Sequence, residues 1–475
     1  MLWSFPSGTG LNRRAVAVKE NTNVNRARNP ALAFPGREHR SACRTPEANS
    51  QTEAHAIKDA PDLIDDGGRR TAVRLIVMAF LYPEQLDSRE DHFRFGFETG
   101  RIARSIAEGQ GFASPLYEKT GPTAWMTPVY PYIVAGFFKV FGIYTKAAAI
   151  AILCFDALIS AVTCIPIFFF AKRSFGERVA NWSGWAWAFF PYGVYFPVER
   201  IWETWLATLL LCFLFQIALN LEQTERLTVW VGTGFLWAIA ALTSAAVFSI
   251  IPFLHGWIVY RRHRQNRRWF LANLACAIAF IALVSPWFIR NYRVFHRFIP
   301  FRDNAGMVMR LGTKGNSDYW GPYELGPWHY NAEWQEFQQG GEIRYMDHKE
   351  QQAIAFIETN PAWYVWTSFR RMAFIWTGYW SLQHWYLKQE EWDPYNIPFC
   401  TGLTILALIG LRKAFQNRNA TTIPYLILIL VFPACYYTTS PEVYYRRPID
   451  PMLLVLAVYA VTTWLQSAEP HQIDK

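Results

Sequence analysis

The sequence predicts an all-α protein that crosses a membrane many times. Of its 475 residues, 52% are hydrophobic and only 17% are charged, whereas an average soluble domain has about 25% charged residues. The apolar residues gather in runs close to the ~20 residues that a helix needs to cross the hydrocarbon core. Basic clusters separate these runs, as they do in cytoplasmic loops of membrane proteins. Membrane topology therefore explains the net charge of +9, and no nucleic-acid partner is expected.

The apolar runs predict roughly ten to twelve crossings. Two aromatic stretches do not fit full spans, and we expect Pro128–Phe141 to be re-entrant or interfacial and Ala362–Trp380 to lie on the outer surface. The candidate spans are Thr71–Tyr82, Ala147–Ala171, Val179–Tyr195, Trp205–Leu221, Val229–Leu242, Ala245–Tyr260, Trp269–Ile289, Ile397–Leu411, Ile423–Tyr437 and Met452–Leu465.

The basic connectors predict which ends of the spans face the cytoplasm. Lys172–Arg178, Arg261–Arg268 and Arg412–Arg418 carry most of the positive charge between spans, so they are expected inside. Residues 1–70 are polar and aperiodic and predict a disordered cytoplasmic tail. The membrane domain then covers 71–468, with outer loops at 83–127 and 290–396 and a short cytoplasmic tail at 469–475. Within the larger loop, Arg290–Asn360 is polar and rich in Gly, Trp and Tyr, and we expect it to fold as a cap over an outward-facing cavity.

Two acids in the first outer loop are candidate general bases. Asp91 precedes an amphipathic helical pattern, and Glu98 lies near its start, with Ile102, Ala103 and Ile106 on one face. Such a helix would lie along the membrane surface, where low polarity raises a carboxyl pKa toward the range of a working base. The alternative is that Asp87, Glu90 and Asp91 form a solvated loop.

A second candidate is Glu203, which begins an otherwise apolar span after Glu199 and Arg200. An acid at this depth is costly unless it is paired or functional, although an acid at a helix start also complements the helix dipole. Asp156 lies in the middle of a candidate span without an evident partner. A structural hydrogen bond between helices is the favoured explanation for Asp156.

Arginines at two predicted outer helix ends are candidate ligands for a lipid phosphate. Arg290 follows Ser285-Pro-Trp-Phe-Ile, and Arg446 and Arg447 come just before the last span. Guanidinium groups suit bidentate phosphate contacts, but interfacial arginines also extend to lipid headgroups without any specific role. No Walker A, HExxH, GxSxG or GxGxxG motif accompanies them, so ATPase, zinc-protease and serine-hydrolase chemistry has no support.

The chain resembles the GT-C membrane glycosyltransferases, in particular the family 39-like group that includes protein O-mannosyltransferases and the aminoarabinose transferase of lipid A. The order and spacing of several stretches carry the resemblance. These stretches are Gly100–Phe112, Thr120–Ile133 with Phe138–Gly142, Trp202–Leu210, Ser285–Tyr292 and Tyr445–Leu453.

The resemblance implies inverting transfer of a sugar from a polyprenyl-phosphate donor to a glycan, lipid or protein acceptor at the outer face of the inner (plasma) membrane. An acid of the first outer loop would be the base, Glu203 would shape the site, and basic residues such as Arg446 would hold the lipid phosphate. The family's usual Asp-Glu pair would fall at Phe95-Gly96, so Asp91 and Glu98, which flank that point, share the assignment. No cofactor is required, and a divalent metal ion is left open.

Another class of function competes with this interpretation. A transporter or flippase of lipid-linked sugars would also place acids and arginines along a path through the membrane. However, the chain has no inverted repeat and no paired broken helices of the kind that transporters use. A polysaccharide polymerase or ligase would act on the same donors, and a purely structural scaffold fits the clustered charges least.

Overall fold

A computed structural model of the chain describes residues 95–313, 326–327, 332–378, 393–439 and 443–468. The predicted tails, the first span Thr71–Tyr82 and Asp91 lie outside the described residues, as do parts of both outer loops. Every described residue belongs to one unit, Asp59–Lys475.

The described residues form helices, and the β-structure among them is a single bridge between Ala113 and Pro122. A 3₁₀ helix, Val443–Ile449, precedes the last α-helix. The α-helices in chain order are α1 Glu98–Ala107, α2 Val129–Phe141, α3 Lys146–Val162, α4 Cys164–Phe175, α5 Glu177–Ala188, α6 Pro191–Glu199, α7 Thr204–Leu221, α8 Leu227–Thr243, α9 Ala245–Phe248, α10 Ile251–Arg264, α11 Phe270–Phe295, α12 Ala305–Leu311, α13 Ala332–Thr359, α14 Pro361–Thr377, α15 Asp393–Gln416, α16 Thr422–Val431, α17 Ala434–Tyr437 and α18 Asp450–Ala468.

Within the described chain, five segments are long and apolar enough to cross a membrane. Shorter apolar helices are Val129–Phe141, Leu227–Thr243 and Thr422–Tyr437, and the predicted total of ten to twelve crossings stays a prediction. The five segments are Lys146–Phe175, Thr204–Leu221, Phe270–Phe295, Pro394–Gln416 and Tyr445–Ser467.

Proline divides two of the predicted spans. Val179–Tyr195 separates into α5 and α6 just before Pro191, and Ala245–Tyr260 separates into α9 and α10 near Pro252. Each proline lies in the first turn of the second helix, where its missing N–H removes no helical hydrogen bond. The span predicted as Trp269–Ile289 instead continues as α11 to Phe295, so Arg290 lies on a helix.

Glycine allows the closest contacts between long helices. A Cβ atom at Gly234 of α8 would overlap the carbonyl oxygen of Cys276 in α11. A Cβ atom at Gly410 of α15 would likewise overlap the carbonyl oxygen of Leu456 in α18. Small residues that let backbones approach in this way are typical of membrane helix packing.

The basic connectors come together at one end of the helices. Glu222, just after α7, accepts from Arg261 over 2.8 Å and lies 3.8 Å from Arg173. Asn419, after the third connector, donates to the carbonyl oxygen of Ser174. The three connectors that the sequence places on one side of the membrane therefore also meet in space.

At the other end, α12 and α13 pack as a cap on residues 112–127. Phe112 and Trp125 share a buried apolar cluster with Trp334, Phe337 and Met346. Helix α13 folds back on itself at Gly341, where φ is 70°. The fold-back is held by Lys349, which is 1% exposed and lies 2.6 Å from Glu333 and 2.9 Å from Glu336.

Candidate active site

A cavity of about 470 Å³ lies between helix α1, the start of α7, the cap and the 3₁₀ segment. Its wall combines apolar side chains with two carboxylates and three guanidinium groups. The polar lining includes Glu98, Arg101, Arg200, Glu203, Arg302 and Asn304, and the apolar lining includes Ala207, Ala245, Ala246, Met307, Val308 and Leu311.

Glu98 occupies the first turn of α1, as the amphipathic pattern predicts. Ile102 and Ala103 on the inner face are fully buried, which fixes the helix against its neighbours. The chain enters α1 through Gly96, whose φ is 79° and whose Cβ, if present, would overlap the carbonyl oxygen of Ile201. This close approach brings the segment carrying Glu98 against the turn that carries Glu203.

Glu203 is the residue immediately before α7, as predicted. Its pKa is raised to about 7, mainly by burial and in smaller part by the charge of Glu98, while the charge of Arg302 opposes the increase. The indole of Trp202 donates to the carboxylate, while Oε2 has no hydrogen-bond partner among the described residues. A carboxylate with a free oxygen in a largely apolar cavity is suited to accept a hydrogen bond from a ligand.

Burial also raises the pKa of Glu98, and the charges of Arg101 and Arg302 oppose the increase. Arg302 lines the same cavity as both glutamates, and its charge opposes the increase in the pKa of each. Two acids that share one cation can occupy different protonation states near neutral pH, which is the property that acid–base chemistry requires.

Two further arginines line the cavity. Arg101 is 2% exposed, stacks 4.0 Å from the ring centroid of Tyr117, and keeps Nε and Nη2 without a hydrogen-bond partner in the described chain. Arg200 is buried and lies with Glu203 in the same wall. Buried guanidinium N–H groups without acceptors favour an anionic ligand.

The three arginines predicted to bind the lipid phosphate lie in the walls rather than in the lining of this cavity. Arg290 donates to the carbonyl oxygens of Thr123 over 2.6 Å and Phe112 over 2.7 Å. Arg446 and Arg447, both 1% exposed, bind Asp450 over 2.9 Å and 3.1 Å. Their role as phosphate ligands stays a prediction.

The structure gives Asp156 a partner that the sequence analysis did not find. The hydroxyl of Tyr130 in α2 donates to Asp156 Oδ2 over 2.7 Å, and both residues are buried. The predicted hydrogen bond between helices is thus confirmed, and the structure identifies Tyr130 as the partner. Tyr130 lies 26 residues earlier in a different helix, so only the fold brings the two together.

Sequence reasoning also missed Arg302, Asp303 and Glu342. Arg302 and Asp303 form a charged pair after Phe301, shortly beyond the end of α11, and this pattern was the available signal. Glu342 accepts from the Thr123 hydroxyl and, over 2.6 Å, from the Ala124 N–H, joining the cap to residues 112–127. In the described chain, no three His, Cys, Asp or Glu side chains gather as a metal site would require, and metal use stays open.

Residues 125–289, from the cavity wall at Trp125 to Ile289 in α11, match the family model for dolichyl-phosphate-mannose-protein mannosyltransferases. No curated protein sequence matches the chain.

Solved structures are similar in fold. The Archaeoglobus fulgidus oligosaccharyltransferase with Zn and sulfate aligns with a TM-score of 0.50 and 11% identity, over 85% of this chain and 49% of that chain. The archaeal oligosaccharyltransferase AglB from the same organism, with an inhibitory peptide and a dolichol-phosphate, aligns with a TM-score of 0.50 and 12% identity, over 87% and 52%. ArnT from Cupriavidus metallidurans bound to undecaprenyl phosphate aligns with a TM-score of 0.33 and 12% identity, over 84% and 78%, a score too low to support a structural argument.

The chain spans about half the length of the archaeal oligosaccharyltransferases that it matches. At these identities the likeness establishes a shared fold. The chain is a multi-pass membrane protein with the GT-C fold, and the predicted fold class and resemblance are confirmed.

Proposed function

We propose that the chain is a membrane glycosyltransferase that moves a sugar from a polyprenyl-phosphate donor to a glycan, lipid or protein acceptor. The observation that carries the proposal is the convergence of Glu98, Glu203 and Arg302 on one cavity. We place the reaction at the outer face of the cell's inner membrane. Membrane lipids are the surroundings of the site, and no nucleic acid takes part.

The cavity chemistry supports a lipid-linked anionic donor. Guanidinium groups lie beside apolar side chains such as Ala246, Met307 and Leu311, so a phosphate and the start of an isoprenoid chain would each meet matching surroundings. A similar fold, that of archaeal AglB, holds a dolichol-phosphate in its solved structure. A soluble nucleotide sugar would gain nothing from the apolar part of the wall.

In the proposed reaction, Glu98 is the general base. Its carboxylate takes the proton from the attacking acceptor group, which forms a bond to the anomeric carbon of the sugar. The bond between that carbon and the phosphate oxygen breaks, and its electron pair leaves with the polyprenyl phosphate. Glu203 accepts a hydrogen bond in the same cavity and shapes the site. Asp91, outside the described residues, stays the alternative base.

Negative charge develops on the departing phosphate, where fixed positive groups lower the barrier. We assign direct contact with the phosphate to Arg302 and Arg101, because both line the cavity and Arg101 has unpaired N–H groups. Arg290, Arg446 and Arg447 would stabilise the walls through their carbonyl and Asp450 contacts. The cap limits water entry and so reduces hydrolysis of the donor.

The decisive experiment measures release of polyprenyl phosphate from a panel of polyprenyl-phosphate sugars, using purified protein in nanodiscs with membrane extract as acceptor. Glu98→Gln and Glu203→Gln should each lower the rate by about 100-fold or more, as expected for loss of general-base catalysis or of a carboxylate in the site. Glu108→Gln is the matched control, because Glu108 follows α1 and is exposed to solvent. Asp91→Asn is measured in the same assay, and its rate compared with that of Glu98→Gln identifies the general base.

Each alternative has its own signature in this assay. Release without dependence on extract would indicate hydrolysis rather than transfer. A labelled donor that changes leaflet without being consumed would replace the transferase with a flippase. Full activity of Glu98→Gln together with loss in Asp91→Asn would move the base to Asp91 and leave the transferase proposal intact.

A further inference from the structure

Asp156 is a carboxylic acid in the middle of an apolar helix, and its local sequence offers no reason for it. Helix α3 is otherwise built from apolar and small residues, and the side chain of Asp156 is 0% exposed. An acid at such a position is costly and often marks a functional site. One of its oxygens, Oδ1, has no hydrogen-bond partner among the described residues.

The other oxygen begins a chain of contacts that ends in the cavity. Asp156 Oδ2 accepts from the Tyr130 hydroxyl over 2.7 Å. The Tyr130 oxygen in turn faces the backbone N–H of Trp202, which acts as its donor. Trp202 then donates through its indole N–H to Glu203. Three polar contacts thus connect the interior of α3 with a carboxylate of the proposed active site.

Packing around this chain joins it to the second carboxylate as well. Tyr130 is 1% exposed and belongs to a buried cluster with Ala103 of α1 and Ile201. Because α1 carries Glu98 and Ile201 lies two residues before Glu203, the Tyr130 ring packs in one buried cluster with both segments. The hydrogen bond to Asp156 holds the Tyr130 ring in place, and the packed ring in turn holds the two segments in position.

We propose that Asp156 and Tyr130 are positioning residues that hold the turn of Arg200 to Glu203 so that the Glu203 carboxylate faces Glu98. This inference rests on the proposed function for its catalytic consequence only. The structural part, that the Tyr130 oxygen anchors the Trp202 amide, stands without it. Asp156 contributes as a hydrogen-bond acceptor, so an amide in its place can do the same.

The test compares four variants in nanodiscs by hydrogen–deuterium exchange and by transfer kinetics. Tyr130→Phe and Asp156→Ala should speed exchange of the Trp202 amide and lower kcat about tenfold or more, with KM changed little, because a small misplacement of a catalytic group is costly. Asp156→Asn should retain protection and most of the activity. Ser160→Ala is the control, since Ser160 lies one turn later in α3 and donates to Gly193 over 2.7 Å, away from the cavity.

The exchange measurement decides the inference even if no donor is found. Unchanged protection of the Trp202 amide in Tyr130→Phe would overturn it. An Asp156→Ala protein with the same exchange and the same kinetics as Ser160→Ala would also overturn the inference. Asp156 would then influence the Trp202 turn no more than a residue away from the cavity does. Absence of transfer in the unmodified protein, with protection lost in Tyr130→Phe, would instead count against the proposed function alone.

Discussion

Glu203 and Glu98 share one cavity, and each residue alters the protonation of the other. Burial raises the pKa of Glu203 to about 7, and the charge of Glu98 contributes to the increase. Near neutral pH the Glu203 side chain is therefore partly protonated. A protonated Glu203 adds no negative charge beside the proposed phosphate position, whereas an ionised one repels the phosphate.

Donor binding should consequently weaken as the pH rises through about 7, by roughly tenfold, which corresponds to about 1.4 kcal/mol. Glu203→Gln should remove this pH dependence. Glu98→Gln should move it to lower pH, because it removes a negative neighbour and so lowers the pKa of Glu203. Equilibrium binding of an inert donor analogue in nanodiscs measures the effect without catalysis. A Glu203→Gln protein with the original pH profile would contradict it.

Among the helices, close packing depends on positions where no side chain fits. In α8, Gly234 faces the Cys276 carbonyl of α11, while Gly232 two residues earlier has nothing within 4 Å of a Cβ position. The two glycines lie in the same helix, two residues apart, so they form a matched pair. Only Gly234 is required by the contact between helices.

Gly234→Ala should destabilise the protein by about 1–3 kcal/mol, because the added methyl group forces α8 and α11 apart. Gly232→Ala should be neutral or stabilising by about 0.5–1 kcal/mol, since alanine favours a helix more than glycine does. Thermal unfolding in one detergent compares the two. Equal effects of both substitutions would mean that the contact at Gly234 does not limit the packing.

The cap is attached to residues 112–127 through the carboxylate of Glu342, and Asp303 binds the same stretch through its backbone N–H, which donates to Ala124. Burial raises the pKa of Asp303 to about 6 and raises that of Glu342 above its usual range, and the two side chains contact each other. Arg290, Arg297 and Arg302 are the cations near the pair. Burial disfavours the ionised form of each carboxyl, so the folded arrangement is most stable where both groups are protonated.

A group whose pKa is raised on folding stabilises the folded state at low pH and loses that effect as the pH rises through its folded value. The attachment of the cap should therefore weaken between the ordinary pKa of Asp303, 3.8, and its folded value of about 6. Amide exchange at Thr123 and Ala124 should accelerate over this window. Asp303→Asn should flatten the response, because an amide does not ionise over this window. Exchange that slows with rising pH, after correction for intrinsic rates, would contradict the prediction.

At the scale of the whole molecule, the cavity and the basic connectors lie at opposite ends of a span. Helix α7 begins beside Glu203 in the cavity wall and ends at Leu221, next to Glu222 and the basic connectors. Its 18 residues cover about 27 Å, close to the thickness of the hydrocarbon core. If the basic end faces the cytoplasm, the cavity faces the outside.

Cys435 provides a direct test of this orientation, because it lines the cavity and is exposed. A membrane-impermeant maleimide should label the protein in intact cells, and Cys435→Ser should abolish the labelling. Cys43→Ser should leave the labelling unchanged, since Cys43 lies in the predicted cytoplasmic tail. Labelling that requires permeabilised cells would place the cavity on the cytoplasmic side.

The sequence by itself determined the membrane class, the helical content, the amphipathic helix at Glu98 and the acid before α7. These features depend on composition, periodicity and charge along the chain, which act locally. The tertiary structure alone decided that Gly96 meets Ile201, that Tyr130 binds Asp156, and that Arg302 lines the same cavity as the two glutamates. It also decided that Arg290 and Arg447 bind protein groups in the surrounding walls. Such contacts join residues far apart in the chain, and they depend on how helix backbones approach one another, which no local pattern encodes.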